Sequence, residues 1–232
     1  MKRISVLLAT LIVSSFTHGV VAEEHSAANN SPRQKLLDGN QRYVAAKLSH
    51  PDQTHARLEE LAQGQHPFAV ILSCSDSRVP PEIVFDQGLG DLFVIRVAGN
   101  IVDNDALGSI EYAVEHLGVK YIMVLGHERC GAVDATVKGG HAPGHIASLV
   151  KAIAPAVNQV KHEPGDLLDN AVRANVAMVV KKLQSTPPIL KEEYEKKELV
   201  IEGARYDLDD GSVTMVPPRT EAVSSAHKKE SK

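Results

Sequence analysis

Tyr121-Ile122-Met123-Val124-Leu125-Gly126-His127-Glu128-Arg129-Cys130-Gly131 begins as an apolar run of strand length and ends on residues that ligate metals. A strand with one wet face alternates apolar and polar side chains. An unbroken apolar run is the pattern of a strand buried on both faces, as in a parallel sheet with helices on either side. Two similar runs precede it, Phe68-Ala69-Val70-Ile71-Leu72 and Leu92-Phe93-Val94-Ile95-Arg96-Val97. Between the second and third, Ala106, Leu107, Ile110, Ala113, Val114 and Leu117 recur at helical spacing behind a cap at Asp103 or Asn104. Strand, helix, strand predicts a parallel pair.

Downstream, Leu168, Val172, Val176, Val179, Val180 and Leu183 mark a long helix stopped by Pro187-Pro188. Leu199-Val200-Ile201 and Val213-Thr214-Met215-Val216 flank an Asp209-Asp210-Gly211 turn and predict a hairpin. Upstream, Leu36, Leu37, Tyr43, Val44 and Leu48 predict an amphipathic lead-in helix, and a second short helix is expected from His55 to Ala62. The expected fold class is α/β: a central, mostly parallel β-sheet covered by helices on both faces, with an N-terminal helical arm and a C-terminal hairpin. Ligand sites in such sheets lie beyond the C-terminal ends of the strands, where Cys74 and the His127 to Cys130 segment both fall.

A chain of 232 residues, 43% of them hydrophobic, can bury one substantial core. Lys2 and Arg3 precede an apolar stretch from Ile4 through Val13, and small residues then lead to Val20-Val21-Ala22, the layout of a secretory signal peptide. The expected organisation is a signal peptide over 1–22, a flexible segment over 23–32, one catalytic domain over 33–220 and a disordered tail over 221–232. That places the mature protein in the periplasm or outside the cell, with no membrane attachment after cleavage. A formal net charge of −4 argues against a nucleic-acid surface, which needs clustered Lys and Arg. The glycines near Gly88 and Gly90 lack the spacing of a dinucleotide fingerprint, and no phosphate-binding loop occurs. Lys191 to Lys197 reads as a solvated surface segment, and His141 and His145 as exposed residues of a Gly-Pro loop.

Two phrases carry chemistry: Cys74-Ser75-Asp76-Ser77-Arg78 and Gly126-His127-Glu128-Arg129-Cys130-Gly131. Thiolate and imidazole are preferred zinc ligands, and three protein ligands with a fourth position open is the arrangement of a catalytic zinc. His127 and Cys130 can bite one ion from a single turn while Cys74 arrives from a neighbouring strand. In an oxidising compartment a Cys74–Cys130 disulfide is the competing reading, and on spacing alone the two stand level. The disulfide, however, leaves His127, Asp76 and Arg78 without a purpose.

Cys-x-Asp-x-Arg after a buried strand, followed by His-x-x-Cys-Gly two strands later, resembles the signature of beta carbonic anhydrases. Gly39-Asn40-x-Arg42-Tyr43, Gly90-Asp91-Leu92-Phe93-Val94, Ala98-Gly99-Asn100, Glu111-Tyr112-Ala113 and Tyr206-Asp207-Leu208 are also similar to that family, so the likeness spans the mature chain. It implies one Zn2+ per chain on Cys74, His127 and Cys130, an active-site dyad of Asp76 and Arg78, and a substrate pocket at Gln65, Phe93, Tyr112 and Gly131. It also implies a homodimer or higher even oligomer whose pockets are shared between chains. The implied reaction is reversible hydration of carbon dioxide to bicarbonate and a proton, by attack of a zinc-bound hydroxide. Carbon disulfide or carbonyl sulfide hydrolysis on the same fold, or a non-catalytic exported zinc protein, are the alternatives. Because two thiolates neutralise the ion's charge, activity is expected to climb toward alkaline pH. In part of the family Asp76 would become a fourth ligand in a closed, inactive state. Members that favour it carry a tryptophan where this chain has Ile71, so the open form is expected here. Val97 departs from the family's frequent Asn, which is expected to alter the polar lining of the site.

Overall fold

The computed structural model describes residues 31–219. The expected signal peptide, residues 23–30 of the flexible segment and the tail from 221 lie outside the described residues. Five strands form one sheet: β1 (Ala69–Ser73), β2 (Leu92–Arg96), β3 (Tyr121–His127), β4 (Val200–Tyr206) and β5 (Val213–Val216), in the order β2-β1-β3-β4-β5. The first four run parallel and β5 returns antiparallel to β4, so the mostly parallel sheet and the terminal hairpin are both present. The described helices are α1 (Pro32–Val44), α2 (His55–Leu61), α3 (Pro81–Val84), α4 (Asn104–Glu115), α5 (Gly131–Lys138), α6 (Ile146–Val160), α7 (Leu167–Ser185) and α8 (Ile189–Glu195).

Alternate side chains of the apolar strands serve opposite faces. Val70, Leu72, Ile122 and Val124 pack with Ile110 of α4, Val176 and Leu183 of α7 and Leu190 of α8. Ala69, Ile71, Met123 and Leu125 pack with Leu36 of α1 and Val84 and Phe85 at the end of α3. The chain leaves β1 for β2 on one side and returns through α4 to β3 on the other. The order therefore switches between β1 and β3, where loops diverge and leave a crevice. Ser73 is in register with both Arg96 and Leu125, so Cys74 leaves the sheet beside Gly126-His127.

Asp103 caps α4, accepting from the Ala106 N–H at 2.8 Å. The lead-in helix stops at Val44, short of the expected Leu48, because Ala46 turns to φ 51°. Residues 39–43 fasten this arm. A Cβ on Gly39 would stand 1.7 Å from the Phe85 carbonyl oxygen. Asn40 donates to the Val84 and Gly211 carbonyls at 3.1 and 2.8 Å and accepts from the Val213 N–H at 2.8 Å. Strand β4 runs well beyond Ile201. Gly203 accounts for that: a Cβ there would meet Val176 of α7 at 2.5 Å, so the strand is flat and small where the helix presses on it. Helices α5 and α6 lie outside the elements expected from the sequence, and the Lys191 to Lys197 segment is largely helical, anchored by the fully buried Leu190. Among the described residues no helix is long and apolar enough to cross a membrane.

Candidate metal centre

Cys74 follows β1, His127 ends β3, and Cys130 caps the N-terminus of α5. All three are buried, and their ligand atoms lie within 4.8 Å of one another. Both cysteines are free, with the two sulfurs 4.0 Å apart. A disulfide needs about 2.05 Å. Two sulfurs each about 2.3 Å from a tetrahedral ion stand about 3.8 Å apart, close to the observed separation.

His127 supplies the sharpest test of fit. Its Nδ1 lies 2.8 Å from the Glu128 carbonyl oxygen, an acceptor only, so Nδ1 carries the proton and Nε2 presents a lone pair. That Nε2 is buried without a hydrogen-bond partner among the described residues. A buried lone pair costs energy unless something takes it, and a soft divalent cation between two thiols does so. Treated as thiols, the two cysteines share one proton. The hydrogen bond from Cys130 chiefly, then those from the N–H groups of Gly99 and Asp76, outweigh burial and bring Cys74 down to about 4. The Cys74 thiolate and burial push Cys130 up in turn. A cation removes the repulsion that keeps that proton in place.

Asp76 sits above the cluster, its Oδ2 3.8 Å from His127 Nε2. Arg78 takes both of its oxygens, Nε to Oδ1 at 2.9 Å and Nη2 to Oδ2 at 2.7 Å, and adds its backbone N–H to Oδ1 at 3.0 Å. These bonds, against a smaller opposing effect of burial, hold the carboxyl well below the usual carboxylate range.

Of the remaining pocket residues Gly131 adjoins the cluster, next in sequence to Cys130, while the others stand on other elements. Phe93 and Tyr112 contact each other, ring centroids 6.4 Å apart, on the outer side of edge strand β2, with Tyr112 48% exposed. Gln65 is exposed before β1. Gly131 is the first residue of α5, with open space where a side chain would be. Val97 faces the apolar core and donates its N–H to the Ser73 carbonyl at 3.0 Å.

Several residues of the site's surroundings escaped the sequence reading. Arg96 donates to the carbonyl oxygens of Cys74 at 3.1 Å and Asp76 at 2.6 Å, bracing the loop that carries both. The Gly99 N–H points at Cys74 Sγ from 3.3 Å. Arg129, at φ 50°, spans Asp209 with two bonds of 3.0 and 2.6 Å. Glu128, Asp207 and Asp209 draw together as a second acidic group, but Arg129 and Arg205 lie among them, and the group is an ion-pair network tying the His127 to Cys130 loop to the β4–β5 turn. A groove of 620 Å³ lined by Leu199, Val200, Met215 and Val216 contains no residue of the cluster.

The carbonic anhydrase family model matches residues 69–213. Carbonic anhydrase 2 of Mycobacterium tuberculosis is 42% identical over 184 residues, covering 78% of this chain and 89% of its own. Among solved structures, a tetrameric beta-carbonic anhydrase of Sordaria macrospora superposes with a TM-score of 0.66 at 25% identity, covering 88% of this chain and 98% of its own. The beta-carbonic anhydrase CcaA gives 0.63 at 30% identity, covering 81% and 100%. Sequence and fold lead to the same assignment, and the chain belongs to the beta-carbonic anhydrase family.

Proposed function

We propose that the chain hydrates carbon dioxide reversibly to bicarbonate and a proton, with one zinc ion per chain held by Cys74 Sγ, His127 Nε2 and Cys130 Sγ. The observation that carries this reading is the buried, unpartnered Nε2 of His127 facing two free thiols. Zinc held there would lower the pKa of a bound water and so supply a hydroxide nucleophile, less readily with two thiolates than with neutral ligands, so that activity climbs toward alkaline pH.

The chain's own residues orient that chemistry. Asp76, kept ionised by Arg78, is an acceptor only, so a water beside it must donate one O–H to the carboxylate and turn a lone pair away from it. Arg78 thereby keeps Asp76 out of the metal position, the open arrangement. Arg96 fixes the backbone of both Cys74 and Asp76, so ligand and acceptor keep one spacing. An apolar wall suits an apolar substrate, and Phe93 and Tyr112 offer one, together with the amide of Gln65, from a neighbouring copy; Gly131 leaves room beside Cys130. A homo-oligomer with shared pockets is part of the proposal, supported by the exposed aromatic patch on β2 and by a relative described as tetrameric. Export is proposed from the basic and apolar leader over 1–22.

Metal analysis of the purified chain tests the reading. About one zinc per chain is expected, lost together with hydration in Cys74→Ser, His127→Ala and Cys130→Ser. A folded wild-type chain that takes up no zinc would overturn it.

A further inference from the structure

Asn175 is fully buried on α7, in a helix face otherwise made of Ala171, Val172, Val176 and Val179. Its Oδ1 has no hydrogen-bond partner among the described residues. Burying an amide oxygen that way strips it of water without replacing the lost hydrogen bond, so the residue is a poor choice for stability alone. Its Nδ2, however, donates to the Gly99 carbonyl at 2.8 Å, and Gly99 donates its own N–H to Cys74 Sγ at 3.3 Å. Gly99 stands at φ 69° with no room for a side chain, since a Cβ would meet Ile153 Cδ1 at 2.7 Å and Ala132 Cβ at 3.2 Å. The helix that carries Asn175 is itself seated: neighbouring Val176 fills a notch left by Gly126 and Gly203, where added Cβ atoms would lie 2.4 and 2.5 Å from its methyls.

We propose that Asn175 is a positioning residue of the metal centre: it holds Gly99 so that the Gly99 N–H stays aimed at Cys74 Sγ and limits the electron density this sulfur gives a bound metal. The inference rests on the zinc reading above. An N–H directed at a metal thiolate stabilises the sulfur lone pairs, weakening their donation and leaving the metal the stronger Lewis acid. Asn175 acts from across the core on one ligand of three, through a backbone atom that no side-chain substitution at Gly99 could replace.

Cobalt substitution of the full chain reads this directly, because the sulfur-to-cobalt charge-transfer band reports donation by the thiolates. Asn175→Leu, similar in size and without a donor, is expected to move that band to lower energy and to slow cobalt release to a chelator about tenfold. Val172→Ala on the same helix face is the packing control: its melting temperature falls while the band stays in place. An Asn175→Leu band and release rate equal to wild type, or an equal band shift in Val172→Ala, overturns the inference alone. A wild-type chain that binds no cobalt overturns the metal reading and this inference together. If Asn175→Leu does not fold, wild-type protein loaded with cadmium-113 decides. Scalar coupling between the Gly99 amide proton and the metal, through Cys74 Sγ, is expected, and its absence contradicts the proposal.

Discussion

Arg78 holds the Asp76 carboxylate by both oxygens, at 2.9 and 2.7 Å, while Asp76 Oδ2 remains 3.8 Å from His127 Nε2. A carboxylate beside two thiolates needs such a partner to stay ionised without joining the metal. Arg78→Ala is therefore predicted to lower kcat/KM about 100-fold with zinc content unchanged. Asp76→Asn should likewise retain zinc and lose much of the hydration rate. Stopped-flow assays with metal quantified in the same samples check both, and unchanged catalysis in Asp76→Asn would remove that residue from the mechanism.

Asp86 is a buried carboxylate that binds Arg42 at 2.5 Å, the Ser49 N–H and hydroxyl each at 2.9 Å and the His50 N–H at 3.0 Å. Burial opposes its ionisation, but the Ser49 N–H, Arg42, the Ser49 hydroxyl and the His50 N–H together prevail and hold it at about 2. A folded pKa below the unfolded value of about 3.9 gives stability that is present above that value and lost as pH falls toward 2. Asp86→Asn should cost about 2 kcal/mol at pH 6 and less near pH 2.5, measured by denaturant titration at both pH values. A difference that does not shrink in acid would contradict the assignment.

Asn40 joins the N-terminal arm to the strand hairpin through three bonds and lies buried. Asn40→Ala leaves two carbonyls and one N–H without partners and is predicted to cost about 3 kcal/mol. Activity per folded molecule should stay at the wild-type level, because none of these groups touches the cluster. Thermal melts and active-site-normalised rates separate the two effects.

Tyr112, 48% exposed and in tilted ring contact with both Phe93 and His116, is the centre of the patch beside β2. If a second copy covers it, Tyr112→Glu places a charge in an apolar contact. The variant should then sediment as a smaller species than wild type and lose hydration activity with it. A wild-type chain that is monomeric and fully active would contradict the shared pocket.

The sheet was legible where burial on both faces left unbroken apolar runs, as in Val70 to Leu72 and Ile122 to Leu125. It was illegible where packing demanded small or charged residues: Glu202-Gly203-Ala204-Arg205 has no apolar run, yet β4 continues through it, because Gly203 passes under Val176 and Arg205 is neutralised by Asp169 and Asp207. Residue type and spacing singled out Cys74, His127 and Cys130 but left a zinc site and a disulfide level, and the resemblance to beta carbonic anhydrases decided between them. Arg96 and Gly99 were not singled out, because they act on or through backbone atoms, which leave no mark in side-chain identity. Asn175 left one faint mark, a polar residue in the apolar stripe of a long helix.

Stopped-flow hydration of carbon dioxide by the purified mature chain, with zinc quantified in the same sample and pH scanned from mildly acidic to alkaline, tests the central claim most directly. Fast hydration in proportion to bound zinc, climbing toward alkaline pH, is the predicted result. A zinc-loaded, folded chain inactive across the whole range would contradict it.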